Sequence, residues 1–470
     1  MSKQIQNPTN KPGAVLAKNT GVKNGMNLNV EVTGYAANGF GTCTVNGVTV
    51  HIPDSAPGDR VSIRIDHISR QAPNAWARIV APPERGDKWK RHFCSFSESA
   101  GGRCGGCPLG NVAKDLYRSV KLGFIADAFA ESGITNVPTE IVLGNMKRYR
   151  NKSNFVVHKQ KNGKIQLGSW ALGSHRFAAM DNCLINSRNI STVQRDIQTL
   201  LTNKNVDKAV PVYPMDGGIR YITVKSFDSG ATLLDIVINA DTVSNVLDIV
   251  GEMATHTQIH GVSISCNSGS GNQLRTESAS DTIGRGALCE QIGDIKLWMK
   301  ATTFFQLNND VARQMYQLAA QWCADANIIW DLYCGIGGLG LTISSGGDGA
   351  LYGCDCVTDS ISLAKRNAEE NGITASFAVL DLSQAFPEKW PRPDVVLINP
   401  PRRGIDACVL EKLGGIKPAQ IIYMSCNPAT FARDAAMLKR YGYHLGDIAA
   451  FDMLPNTSHV ELLGRFNLRE

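Results

Sequence analysis

The chain has 470 residues, of which 43% are hydrophobic, enough to give a core to each of about three folded units at roughly 150 residues per domain and too apolar for a disordered protein. Lys and Arg number 48 against 42 Asp and Glu, a net charge of +6 that permits a polyanionic partner without requiring one. No apolar run approaches the roughly 18 residues of a membrane helix, and the first thirty residues hold no secretory core, so a cytoplasmic protein with no membrane association and no obligate protein partner is expected. In that reducing compartment the 13 cysteines are ligands, nucleophiles or packing residues rather than disulfides.

Residues 1–25, with Lys3, Lys11, Lys18, Lys23 and no acid, read as a flexible basic tail. Over 26–85 short β-rich runs such as VEVTGYA, GFGTCTV, VTVHIP, DRVSIRIDHI and WARIV, with SAPGD at 55–59 as a turn, predict a small five-stranded barrel of oligonucleotide-binding type. A purely structural barrel has even standing, and Arg60, Arg64 and Arg70 tilt the reading toward nucleic acid. The basic run Arg85, Lys88, Lys90 and Arg91 around Trp89 suits phosphates and a stacked base, or else is a solvated connector. Residues 90–300 read as an α+β domain with a helix near 111–131 and strands such as SNFVVH and RYITVKSF. From 301 to 470 strands and helices alternate, which predicts a doubly wound, Rossmann-like α/β domain.

In that last domain Asp331–Gly340, DLYCGIGGLG, ends a strand and opens a helix on a glycine turn. Gly335, Gly337 and Gly340 fit GxGxxG, and Asp355 follows where a carboxylate can accept from ribose hydroxyls. A dinucleotide and S-adenosylmethionine both satisfy this pattern. Asp381 after the third strand and Asn399-Pro400-Pro401 after the fourth favour the methyl donor, since ligands of open α/β sheets sit beyond the carboxyl ends of the strands. At the end of the fifth strand Ser425-Cys426-Asn427-Pro428 puts a thiol at a helix start, where a thiolate is stabilised. Taken singly, Cys426 reads sooner as a small buried hydrophobe than as a nucleophile, and Glu461 as a surface charge on an edge strand.

Together, SCNP and the PxTxHxE pattern of Pro455, Thr457, His459 and Glu461 resemble the RNA uracil-C5 methyltransferase family, and the likeness extends from about Tyr35 to the end. The resemblance implies that Cys426 attacks C6 of a uracil, that C5 takes the methyl of S-adenosylmethionine, and that Glu461 then removes the C5 proton. It also implies a donor pocket of Gln306, Tyr333, Gly335, Gly338, Asp355 and Asn399, with Asp381 near the adenine. Phe304 and Phe305 beside Gln306 read as base-stacking rings or as a core pair. Asn399 stands where most of the family has the Asp of a DPPR motif, and this matches the branch that methylates 23S rRNA, whereas the amino-terminal barrel is similar to the TRAM domain of a longer branch. RNA, foremost 23S rRNA, is therefore the expected partner, with a tRNA uridine as the alternative.

Cys94, Cys104 and Cys107 are spaced so that three thiolates can reach one centre. The family likeness supplies Cys183 as a fourth ligand and a [4Fe-4S] cluster, while four-thiolate zinc fits the spacing nearly as well. Arg148, Arg150 and Lys152 in KRYRNKSNF suit phosphates of a folded RNA, and the remaining eight cysteines other than Cys426 are assigned to packing. Three competing functions remain open from the residues alone: an N-methyltransferase acting on an exocyclic amine, a non-catalytic RNA-binding protein, and a nicotinamide dehydrogenase.

Overall fold

The computed structural model of the protein describes residues 20–97, 101–172, 174, 176–203, 218–239, 243–267, 269, 274–275, 281–347 and 349–469. Most of the expected basic tail, residues 1–19, lies outside the described residues. The chain divides into two compact units, one of residues up to 101 with 105–120 and 456–458, the other of 102–104, 121–455 and 459–470.

The first unit is built on β1 (Asn27–Glu31), β2 (Gly34–Tyr35), β3 (Gly41–Val45), β4 (Val48–Ile52), β5 (Arg60–Ile68) and β6 (Asn74–Ile79). They form one sheet in the order β1-β5-β6-β4-β3-β2, six strands where the sequence suggested five. Only β4 and β6 pair in parallel. Period-two alternation turns Val48, Val50, Ile52, Val61, Ile63, Ile65, Ala75 and Ala77 into one core. Asn46 and Gly47 both adopt left-handed φ, 49° and 78°, the conformation an Asn-Gly hairpin requires. The basic run after β6 is used internally. The Arg85 guanidinium lies 4.2 Å over the Trp89 ring and donates to Asp59 at 2.7 Å, and the Trp89 indole donates to Asp54 at 3.2 Å. These bonds dock the connector on the sheet, so Arg85 and Trp89 are not the phosphate grip that their spacing suggested.

The second unit opens with the carboxyl-terminal part of helix α1 (Lys114–Glu131) and β7 (Ile141–Leu143). A seven-stranded sheet follows, made of β8 (Lys152–Lys159), β9 (Ile165–Trp170), β10 (Phe177–Ala179), β11 (Ile219–Ser226), β12 (Thr232–Ile238), β13 (Ile259–Cys266) and β14 (Asp281–Gly284) in the order β10-β9-β8-β11-β12-β13-β14. One face is apolar and is covered by α2 (Arg188–Asn203) and α3 (Val243–Ala254). Ile190, Val193, Ile197 and Leu201 recur at helical spacing along α2 and are all buried.

A hairpin of β15 (Leu288–Ile292) and β16 (Ile295–Met299), then α4 (Asn309–Trp322), lead into the α/β layer. This layer comprises β17 (Ile328–Leu332), α5 (Gly338–Ser344), β18 (Ala350–Asp355), α6 (Thr358–Glu370), β19 (Ala375–Val379), β20 (Val395–Ile398), α7 (Ala407–Ile416), β21 (Gln420–Ser425), α8 (Pro428–Arg440), β22 (Tyr443–Asp452) and β23 (Glu461–Leu468). The sheet order is β19-β18-β17-β20-β21-β23-β22-β7, so the expected doubly wound α/β fold is present. Strands β17 to β21 are parallel and β23 runs antiparallel between β21 and β22. Their residues alternate between two cores. Ile329, Leu397, Ile422, Met424 and Leu463 fill one face with the β15–β16 hairpin and α4, while Trp330, Val396, Ile398, Tyr423 and Phe466 fill the other with α7 and α8. The strand order reverses between β17 and β20, which opens a crevice at their carboxyl ends. Among the described residues no helix is long and apolar enough to cross a membrane.

Candidate active site

The crevice is floored by the glycine turn after β17. Tyr333, Gly335 and Gly337 take left-handed φ of 63°, 56° and 83°, and a Cβ on Gly340 would stand 2.7 Å from Asp331 Oδ2, so the tight turn excludes side chains. The buried Asp331 carboxylate accepts from Gly340 N at 3.1 Å, and burial pushes its pKa up to about 7. Asp355, at the end of β18, accepts from Gly335 N at 3.0 Å and from Val357 N at 2.9 Å, one bond to each oxygen. The Cys356 thiol also hydrogen-bonds this carboxylate, and a remaining lone pair is open to a ribose hydroxyl. This donor set fits the nucleoside half of S-adenosylmethionine.

Gln306 is buried with its amide 3.9 Å from Met424 Sδ, and it hydrogen-bonds the Tyr316 hydroxyl. Its two aromatic neighbours part company. Phe305 is buried and edge-on to Tyr316 at 6.2 Å, against Gly338 of the glycine turn, whereas Phe304 is 67% exposed. Phe305 is thus a core ring, and the two do not form the core pair. Asn399, half-buried after β20, bonds through its backbone N to Leu332 O. Asp381 lies beyond β19 as expected; it is exposed, and its Oδ1 accepts from Ser383 N at 2.9 Å and from Ser383 Oγ at 2.7 Å.

Cys426 is half-buried directly after β21, and Asn427 caps α8 by accepting from Ala429 N at 3.0 Å with Pro428 in the first turn. Burial, reinforced by the nearby Glu461 charge, pushes the Cys426 thiol up to about 11, against the opposing pull of Arg402, which hydrogen-bonds the sulfur. Desolvation thus outweighs the stabilisation of the thiolate expected at a helix start. Glu461 opens β23 and is buried between β21 and β22, not on an edge strand. Desolvation raises its pKa to about 7, again opposed by Arg402. Arg402 also stands 3.4 Å from His459 Nε2, and His459, desolvated and surrounded by Arg402, Lys121 and Arg150, is driven down to about 4. One guanidinium thus faces thiol, carboxyl and imidazole. Arg402 was not among the expected site residues; its place directly after Asn399-Pro400-Pro401 was the available signal.

The residues bearing Glu461 are anchored from α1. The Lys121 ammonium, fully buried, donates to Asp452 at the end of β22 and to the His459 carbonyl, each at 2.6 Å. Removing one member of a buried pair leaves the other charge uncompensated, at a cost of about 3–5 kcal/mol. Lys121→Met is expected to lose about that much stability in urea titration, and the double change with Asp452→Leu to regain part of it.

Elsewhere the expected ligands are less gathered. His92 accepts from Cys94 N at Nδ1 and faces Cys107 O from Nε2, each at 3.0 Å, and a Cβ on Gly110 would collide with this ring. Cys94, Cys104, Cys107 and Cys183 are half-buried, but among the described residues no group of three or more His, Cys, Asp or Glu is placed to hold a metal ion. The geometry gives the iron–sulfur expectation no support. Of the cysteines assigned to packing, Cys43, Cys323, Cys334 and Cys354 are buried, while Cys356 and Cys408 are exposed. Arg148 is consumed internally, donating to Cys183 O, Asn186 O, Ser191 Oγ and Asn182 Oδ1 at 3.0 to 3.3 Å, and Lys152 donates to Thr303 O at 2.9 Å, so neither is the free phosphate ligand that the motif suggested.

Residues 290–466 match the model of the tRNA (uracil-5-)-methyltransferase family. That stretch holds the glycine turn, Cys426 and Glu461, and the similar curated proteins are RNA methyltransferases. Among similar proteins, an uncharacterized RNA methyltransferase of Geobacter sulfurreducens is 29% identical over 97% of this chain and 92% of its own length. One of Clostridium tetani is 27% identical over 95% and 98%. The tRNA (uracil-54, C5)-methyltransferase of Pyrococcus abyssi, solved with S-adenosyl-L-homocysteine, superposes with a TM-score of 0.72 at 21% identity, covering 93% of this chain and all of that one. That likeness is one of fold.

Proposed function

We propose that this methyltransferase acts on C5 of one uridine in 23S rRNA through a covalent bond between Cys426 and C6 of the base. The observation that carries the reading is the convergence of Cys426, Glu461 and Arg402 where the carboxyl ends of β20 and β21 meet the amino end of the antiparallel β23. C5 of uracil is too weak a nucleophile for a sulfonium methyl until a soft nucleophile has added to C6, and Cys426 is such a nucleophile. Arg402 stabilises the developing thiolate. Once C5 carries the methyl group, the Glu461 carboxylate accepts the C5 proton, and elimination returns the thiolate of Cys426. S-adenosylmethionine supplies the electrophilic methyl, with Gln306, Tyr333, Gly335, Gly338, Asp355 and Asn399 as its pocket and Asp381 at its adenine edge. The uracil must leave its stack for both its faces to be reached, and the exposed Phe304 ring beside the pocket is suited to receive it.

The target in 23S rRNA rests on the Asn399-Pro400-Pro401 branch likeness, and the small sheet of the first unit is read as a TRAM-like module. A tRNA uridine is the second reading, favoured by the tRNA named in the matched family model. Incubating the protein with labelled S-adenosylmethionine and undermodified 23S rRNA or tRNA separates the two; label in 5-methyluridine of the rRNA alone is expected, and label only in tRNA refutes the first target. A [4Fe-4S] cluster on Cys94, Cys104, Cys107 and Cys183 is proposed from the cysteine spacing together with the family likeness, which supplies Cys183 and the choice of iron over zinc. Stoichiometric iron and sulfide in anaerobically purified protein would support it, and zinc or no metal would refute it.

A further inference from the structure

Between β16 and α4 the chain runs through residues 300–308 without helix or strand, so its backbone carbonyls have no ladder partners and must be met from elsewhere. The start of β8 meets them. Lys152 Nζ donates to Thr303 O at 2.9 Å, Asn151 Nδ2 donates to Gln306 O at 3.0 Å, and Asn151 N donates to Leu307 O at 3.0 Å. Lys225 of β11 is the register partner of Lys152. Its ammonium lies 5.8 Å from the centre of the Phe305 ring and 5.4 Å from that of Phe227. Phe305 in turn lies against the glycine turn, since a Cβ on Gly338 would stand 3.2 Å from Phe305 Cε2. The exposed Phe304 and the buried Gln306 therefore flank a ring fixed between a lysine and the glycine turn.

Stability does not explain the two lysines. Like charges directly opposite on neighbouring strands repel. Lys225 is buried, and among the described residues its ammonium has no hydrogen-bond partner, a site that a methionine of similar length would fill without desolvating a charge. Burial, with the Arg275 and Lys225 charges, pushes Lys152 down to about 7, and burial pushes Lys225 down to about 8 against the pull of Glu290 and Asp228. Glu290 engages other groups directly, its Oε2 accepting from Asp228 N at 2.8 Å and from Asn309 Nδ2 at 3.4 Å. A desolvated cation kept without a direct partner fits a group whose charge is used. What it faces is the ring between Phe304 and Gln306.

We infer that Lys152 and Lys225 are positioning residues for methyl transfer, two ammonium groups of the seven-stranded sheet that hold residues 303–306 so that Phe304 meets the target base and Gln306 the methyl donor. This deepens the proposed function and rests on the roles it gives Phe304 and Gln306. Full-length Lys225→Met, Lys152→Met and Lys152→Arg are to be assayed with S-adenosylmethionine and whichever undermodified RNA, 23S rRNA or tRNA, accepts the methyl group, alongside urea unfolding. Lys225→Met is expected to lower kcat about ten- to hundredfold, the scale of a misplacement near 1 Å. It should nevertheless unfold at the same or a higher urea concentration, because a desolvated charge is gone. A purely architectural lysine would show the reverse, a lower midpoint with kcat per folded molecule unaltered. Lys152→Met should lower kcat likewise, and Lys152→Arg, which keeps the charge and a donor for Thr303 O, should restore most of it. A kcat within about twofold of the unaltered protein in Lys225→Met overturns the inference, as does Lys152→Arg being no more active than Lys152→Met. Where Lys225→Met fails to fold, the two changes at Lys152 decide. Should the unaltered protein methylate neither RNA, the catalytic reading fails and the positioning is read from S-adenosylmethionine binding by calorimetry. Its Kd is then expected to rise about two- to tenfold in Lys152→Met, the weight of one misplaced hydrogen bond, and to return in Lys152→Arg; an unchanged Kd in Lys152→Met and Lys225→Met overturns the inference.

Discussion

Cys426→Ala is expected to lose methyl transfer by on the order of 10⁴-fold or more, the scale of removing a nucleophile from a covalent mechanism, while S-adenosylmethionine binding, read by calorimetry, stays as in the unaltered protein. The reason lies in position. Cys426 sits past the last residue of β21 and does not fill either core, so its removal opens no cavity. A residual rate within about tenfold of the unaltered enzyme would instead select methyl transfer to an exocyclic amine, for which the same crevice and the Asn399-Pro400-Pro401 turn suffice without a thiol. Because burial holds the thiol up at about 11, it is expected to react slowly with iodoacetamide near neutral pH in the absence of RNA.

Glu461→Gln is expected to reduce turnover by about 10²- to 10⁴-fold, the usual contribution of a general base, and to do so after the methyl group has moved. Methylated RNA bound to protein should then accumulate, visible as a slow band in denaturing gels. The pH dependence follows from burial. The Glu461 carboxyl is raised from an ordinary 4.5 to about 7, so the base becomes available only as pH rises through about 7, and the rising limb of kcat/KM there should vanish in Glu461→Gln. Stability runs the other way. A carboxyl that holds its proton more tightly in the folded state gives a contribution that is whole below about 4.5 and is lost as pH rises through about 7; ionised, it disfavours folding by on the order of 3 kcal/mol. Glu461→Gln should therefore be more stable than the unaltered protein at about pH 8 and equal to it at about pH 5, as measured by urea unfolding.

The α/β layer was legible because its signals are local: apolar runs such as DVVLINPP and QIIYMSC between helical segments, with a glycine turn at the first strand end. Cys426, Glu461 and Asp355 could be found for the same reason, each being pinned to a strand terminus. Roles set by tertiary surroundings were not legible. Arg402 became a shared partner of Cys426, Glu461 and His459 only through the folding of β20 against β21 and β23, and Lys121, a commonplace helix lysine in sequence, proves to be a buried anchor 331 positions from Asp452. The basic motifs failed for a related reason. Charge spacing does not distinguish an arginine free for phosphate from one enclosed by carbonyls, as Arg148 is, or laid on an indole, as Arg85 is.

The account depends most on the bond between sulfur and C6. Full-length protein should be mixed with S-adenosylmethionine and a 23S rRNA fragment carrying 5-fluorouridine, whose fluorine cannot leave C5 as a proton does, and the intact complex weighed by mass spectrometry. A species with the mass of protein plus RNA plus one methyl group, absent in Cys426→Ala, is the predicted result. Normal accumulation of 5-methyluridine on ordinary RNA, with no joined species on the fluorinated substrate, would contradict it.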